Sequence, residues 1–216
     1  MFTSDKSTTD LVQTRLTTRL YSILTNAVIG SLFAFFAYSA FRNWWETGHL
    51  QMLILALQEA MIVWLVIIRN PAYHESRSVW DWLVAFVGTA APMLQRPTET
   101  VSSFVNVGIA FQFVGTVLAT IAIFNLGRSF GIVAAIRRVR TEGFYRYVRH
   151  PIYGSYIVGY VGFLLGNLSI WNVVLLSLTV FCQYLRARAE ERILLQDPAY
   201  QEYVRKVRYR FIPFLF

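Results

Sequence analysis

Apolar runs of membrane-spanning length divide this chain, and they constrain its fold more than any other feature. A helix crossing the hydrocarbon core needs roughly 20 mostly apolar residues, and residues 20–41, 50–68 and 104–124 meet that length. Residues 80–94 form a shorter run that begins with Trp80, Asp81 and Trp82, an aromatic signature of the water interface. Residues 152–165 and 170–185 are also short. Only Gly166, Asn167, Leu168 and Ser169 separate them, which predicts a tight helical hairpin. The pattern predicts an all-α, polytopic helical bundle of about six transmembrane segments.

Hydrophobic residues make up 56% of the chain, yet 20 Lys and Arg stand against 12 Asp and Glu, so apolar and basic blocks alternate. Basic loops stay on the cytoplasmic side of a membrane. With the N-terminus placed inside, only Arg42 and Arg96 of the basic residues fall outside. Both termini are therefore expected in the cytoplasm, with attraction to anionic head groups as a secondary effect. The same placement excludes nucleic acid, because the basic residues follow membrane boundaries and no recognition motif accompanies them. Residues 1–19 are polar, rich in Thr and Ser, and lack a signal-peptide pattern; they read as a frayed tail or an interfacial helix. With the abundance of Arg, this suits a bacterial inner membrane. The expected organisation is a tail at 1–19, transmembrane helices at 20–124 and a C-terminal core at 125–216.

Cys182 is the sole cysteine, so no internal disulfide and no cysteine metal site can form, and it reads as a buried structural thiol. His49, His74 and His150 are too widely spaced to form a metal-ligand set, and no metal is expected.

Residues 125–150 are too long for a plain connector. Ile132, Val133, Ile136 and Val139 recur at helical spacing with Arg137, Arg138 and Arg140 on other faces, predicting an amphipathic helix at the interface. Arg149-His150-Pro151 follows. Proline suits the first turn of a helix, so Pro151 starts the next span and leaves Arg149 and His150 at its entrance, where free amides favour an anionic group.

Glu190 and Glu191 come directly after the last apolar run. They could belong to a solvated helix with an Arg186–Glu190 pair worth only a few tenths of a kcal/mol. The hairpin argues for more. Antiparallel spans bring Pro151 and Leu185 to one membrane face, so the Arg-His and Glu-Glu pairs should meet in space. Adjacent carboxylates beside His and Arg can hold a ligand that is both cationic and hydroxylated. Glu59, beside Gln58 in the second run, is costly in lipid and must face the bundle interior or a cavity, either binding an acceptor head group or pairing with Gln112 or Asn106. The row Ser155, Gly159, Gly162, Gly166 reads as a close helix-packing stripe.

Taken in order, Leu126-Gly127, Gly143-Phe144-Tyr145, Arg149-His150-Pro151-Ile152-Tyr153, Glu190-Glu191, Leu194, Tyr200, Tyr203, Arg210 and Ile212-Pro213 resemble the isoprenylcysteine carboxyl methyltransferase and phospholipid methyltransferase families. The likeness runs from about Leu126 to Pro213. It implies a methyltransferase using S-adenosylmethionine at the cytoplasmic face, with a lipophilic acceptor approaching from the bilayer. Carried over, Gly143, Tyr145, Arg149, His150 and Tyr153 line the cofactor pocket, and Glu190 and Glu191 close it. His150, Arg149 and Glu190 become the catalytic candidates, and Glu59 and Tyr203 the candidates for holding the acceptor. Two positions depart from the pattern. Phe144 replaces a common proline, and Ser155 stands where relatives carry glycine, with Gly154 one place early. Two alternatives remain: an NADPH oxidoreductase resembling sterol reductases, and a non-catalytic membrane protein.

Overall fold

The computed structural model describes residues 5–48, 50–69, 74–76, 78–96, 98, 102–129, 135–136 and 139–213. Seven α-helices account for most of them: α1 (Asp5–Thr47), α2 (Leu50–Ile68), α3 (Val79–Ala90), α4 (Val105–Leu126), α5 (Pro151–Gly166), α6 (Ile170–Leu194) and α7 (Pro198–Lys206). Every apolar run in the sequence falls on a helix. Three of them, Ile23–Thr47, Val105–Ser129 and Ile170–Leu194, are long and apolar enough to cross a membrane, whereas Leu55–Ile68, Val79–Ala90 and Pro151–Gly166 are shorter apolar helices. The polar N-terminal residues from Asp5 onward are helical and continuous with the first span.

The chain divides into two compact units, Met1–Pro71 and Ala72–Phe216. In the first, α1 and α2 pack together. Gly48 turns the chain with φ 72°, and Arg69 donates a hydrogen bond to the Asn26 side chain.

In the second unit the helices are inside out relative to a water-soluble protein. Helix α6 buries Asn172, Thr179 and Gln183 while Ile170 (87% exposed), Val174 and Phe181 face outward. Large apolar patches of this kind are unstable in water and stable in lipid, so the pattern identifies an integral membrane protein. Small residues set the helix spacing. A Cβ on Gly108 would lie 2.4 Å from the Gly162 carbonyl oxygen, and one on Gly115 would lie 2.5 Å from the Gly159 nitrogen. The stripe in α5 thus meets a matching glycine pair in α4, and their backbones touch as in other small-residue membrane interfaces. The hairpin turn at 167–169 forms as expected, but α5 comes closest to α4 along its length, not to α6.

Helix ends follow local chemistry. Ser169 caps α6 by accepting from the Asn172 amide, Asp197 caps α7 from the Ala199 amide, and Pro151 and Pro198 occupy first-turn positions where no amide donor is missed. One expectation is corrected. Within the segment expected to be an amphipathic helix, Ala135–Ile136 is a short strand paired antiparallel with His74–Glu75. The periodicity of Ile132, Val133, Ile136 and Val139 carries no information about a partner strand far upstream, and that pairing decides the local backbone. Residues 130–134 and 137–138 lie outside the described residues.

Candidate functional site

The start of α5 and the end of α6 supply the site. His150 occupies the N-cap position, its side chain making no capping bond, so the imidazole is free to turn inward. The C-terminal tail crosses over it: the amides of Arg149 and His150 donate to the carbonyls of Tyr209 (2.9 Å) and Arg210 (2.8 Å). Gly154 makes that crossing possible, because a Cβ there would lie 2.3 Å from the Phe211 carbonyl oxygen. The early glycine noted in the sequence therefore has a structural cause.

Both nitrogens of the buried His150 ring face carboxylates. Nε2 lies 3.2 Å from Glu191 Oε1 and Nδ1 lies 3.5 Å from Glu190 Oε2. Burial alone would lower the imidazole's affinity for its proton, but hydrogen bonds to Glu190 and Glu191 and their charge outweigh it and raise the pKa above the ordinary value of 6.5. Glu191 is nearly enclosed. Arg210 Nε donates to its two oxygens at 3.2 and 3.3 Å. Arg149 Nε lies 3.4 Å from Oε1 but aims no hydrogen bond at it. Glu190 is the more open carboxylate, with 20% of its side chain exposed, and accepts from the Tyr153 hydroxyl. Tyr153 stacks on His150 at 5.6 Å and 8°, and the Arg186 guanidinium lies over the Tyr153 ring at 5.1 Å from its centre.

Three guanidinium groups and an imidazole thus surround two adjacent carboxylates. Such a site offers an open carboxylate as acceptor and surplus positive charge toward any anionic group. Among the described residues, no group of three or more His, Cys, Asp or Glu could hold a metal ion.

Beneath the cluster, Tyr145, Tyr200, Tyr203 and Val207 form a buried apolar core packed by Leu126, Val139, Leu194 and Val204. Tyr203 donates its hydroxyl to the Tyr145 carbonyl at 2.7 Å, so it ties α7 to the turn before α5. That turn depends on Gly143, whose φ is 61° and whose Cβ position would collide with the Asn125 side chain at 2.3 Å. The Tyr200 hydroxyl is buried and has no partner among the described residues. Beside the cluster, Leu176, Ser177, Val180, Phe181 and Tyr184 of α6 line an open groove of about 560 Å³ that ends at Phe211, whose ring lies 6.0 Å from His150 and 6.4 Å from Tyr153.

The structure brings together Arg149, His150, Tyr153, Glu190 and Glu191, with Tyr145 and Tyr203 in the core below. Glu59 lies on α2 in the other unit, with a buried carboxylate oxygen that has no partner among the described residues. Sequence reasoning missed Arg210 as a ligand of Glu191, although its place two residues before Ile212-Pro213 had marked it. It also missed Arg186 as a lid over Tyr153, because i, i+4 spacing directed attention to Glu190 alone.

The helices α5 and α6 that carry this charged cluster lie in the part of the chain that is similar to a known family. Residues 98–201, which include Arg149, His150, Tyr153, Glu190 and Glu191, match the model of the phospholipid methyltransferase family. Over its whole length the chain is also similar to a solved structure of the eukaryotic intramembrane Ras methyltransferase ICMT (isoprenylcysteine carboxyl methyltransferase) without a monobody, at 19% identity, covering 90% of that chain with a TM-score of 0.48. No curated protein sequence matches it.

Proposed function

We propose that the chain is an S-adenosylmethionine-dependent methyltransferase that modifies a lipophilic acceptor at the cytoplasmic face of a bacterial inner membrane. The observation that carries this reading is the His150 imidazole held between Glu190 and Glu191 at the mouth of a membrane bundle. When bound, the cofactor supplies a methyl group already activated on a sulfonium.

The donor set fits such a molecule, which bears a carboxylate, an ammonium and a ribose diol. Glu190, the more open acid, accepts from hydroxyl or ammonium groups, while the buried Nε of Arg149 and the Tyr200 hydroxyl are donors without a hydrogen-bond acceptor of their own. His150 lies between the two carboxylates and acts as a brace that fixes both. Tyr153 orients Glu190 through its hydroxyl. Gly143 and Tyr145 shape the wall of the pocket, and Glu191 closes it through His150, Arg149 and Arg210. Burial of the cluster excludes water from the transfer site, which protects an activated methyl group from hydrolysis.

The groove along α6 ending at Phe211 suits the hydrocarbon chain of the acceptor. Glu59 and Tyr203 are each secondary candidates for contact with the acceptor. The acceptor atom is oxygen, nitrogen or sulfur on a membrane-soluble molecule, and partners are membrane lipids. The distribution of basic residues between the apolar runs supports a cytoplasmic position for the cluster and both termini.

The test is to incubate the detergent-solubilised protein with methyl-labelled S-adenosylmethionine and a total lipid extract, then identify labelled products by mass spectrometry. Label in a lipid-soluble product is expected. Absence of S-adenosylmethionine binding, with binding of NADPH in its place, would overturn the reading.

A further inference from the structure

Asp81 lies outside the cluster and outside residues 98–201, yet its environment is built with care. It sits in the first turn of α3 with 7% of its surface exposed. Its Oδ2 accepts from Arg192 Nη2 at 2.7 Å and from the Ser76 hydroxyl. Ser76 is held in turn, its side chain accepting from the Ser78 amide and its carbonyl from the Trp82 indole, both at 3.3 Å. Ser76, itself held by Ser78 and Trp82, thus fixes one carboxylate for one arginine.

That arginine directly follows Glu190 and Glu191. Successive helical residues are rotated by about 100°, so when the two acids face His150, Arg149 and Arg210, the third side chain is turned to α3. A second contact lies along the same pair of helices. A Cβ on Gly88 would meet Cys182 Cβ at 2.9 Å and Arg186 Cδ at 3.6 Å, so α3 presses against α6 where Arg186 leaves it to cover Tyr153. Contact at two heights along α6 restrains both its distance and its rotation.

We infer that the Asp81–Arg192 pair is a positioning contact, which sets the rotation of α6 and so aims Glu190 and Glu191 at His150. The inference rests on reading that cluster as the cofactor site. An exposed ion pair contributes little, and Arg192 is itself 63% exposed, but its partner is not: the Asp81 side chain is 5% exposed. The competing explanation is that Asp81 merely anchors Ser76 and the start of α3 for folding.

The experiment uses the full-length protein as wild type, Asp81→Asn, Arg192→Gln, the double variant, Asp81→Glu and Glu191→Gln. Affinity for labelled S-adenosylmethionine, KM for the lipid extract, thermal midpoint and the NMR titration of the His150 imidazole are measured on each. The expected result is cofactor affinity reduced on the order of tenfold in each single variant, no further loss in the double because the two act through one contact, partial recovery in Asp81→Glu, an unchanged lipid KM, and a His150 titration displaced toward the ordinary value. A lowered thermal midpoint with wild-type cofactor affinity and wild-type His150 titration would overturn the inference. Wild-type cofactor affinity in Glu191→Gln together with a displaced His150 titration in Asp81→Asn would sustain the positioning contact and reject the cofactor site instead.

Discussion

His150 Nε2 and Glu191 Oε1 lie 3.2 Å apart, joining the first residue before α5 to the last turns of α6 across 41 positions of sequence. Because Nδ1 faces Glu190 as well, protonating the ring puts a cation between two carboxylates, and this arrangement makes the site sensitive to pH. The folded protein holds the His150 proton more tightly than the unfolded chain does, since its pKa is raised above 6.5. The sign follows from linkage: the stabilisation is fully present below about pH 6.5, and it is lost as pH rises through the higher folded value. Thermal midpoint and cofactor affinity should therefore decline on the alkaline side, and His150→Asn should remove that limb. A decline confined to pH below 6 would contradict the arrangement.

Tyr153 reaches Glu190 with its hydroxyl while its ring stacks on His150. Tyr153→Phe keeps the stack and deletes one hydrogen bond to a charged group, a change worth about 1.5–3 kcal/mol. The thermal midpoint should fall, and binding of S-adenosylmethionine should weaken because Glu190 loses the hydroxyl that orients it. Equilibrium binding with labelled cofactor checks this.

Gly154 leaves room for the tail. Alanine there would put a methyl group 2.3 Å from a backbone oxygen of Phe211, and backbone cannot move aside as a side-chain tip can. Overpacking of this kind costs about 1–3 kcal/mol. Gly154→Ala should lower the thermal midpoint and loosen Arg210 from Glu191, while Ser155→Gly nearby should have the smaller effect.

The α4–α5 seam offers a contrast. Gly162→Ala would collide with the Gln112 nitrogen and the Gly108 oxygen, both 2.6 Å from the added carbon. Stability should fall by about 1–3 kcal/mol. The seam lies away from the charged cluster, so the protein that remains folded should bind cofactor as the wild type does. Denaturation in mild detergent, paired with a binding titration, separates the two effects.

Much of this was legible in one dimension, for identifiable reasons. Helix positions follow from apolar run length, and Pro151 marks the start of α5 because proline fixes the first turn. The meeting of His150 with Glu191 follows from chain reversal at 167–169, whatever the detailed helix spacing. What escaped the sequence depended on three-dimensional partners. Arg210 is delivered by a tail whose path depends on Gly154, and Asp81 finds Arg192 because α3 lies along α6. The paired residues Ala135–Ile136 read as helix because their strand partner, His74–Glu75, is remote in the chain. Close approach of α5 to α4 was half visible, as a stripe in α5 with no way to name the helix it meets.

Glu190 is the open acid of the cluster, and its role can be tested with a change that preserves shape. Equilibrium binding of methyl-labelled S-adenosylmethionine to wild type and Glu190→Gln, in the same detergent and at pH 7, is the most direct measurement. The account predicts a loss of affinity of about tenfold or more, as expected for deleting a charged hydrogen-bond acceptor. Equal affinity in the two proteins would contradict it.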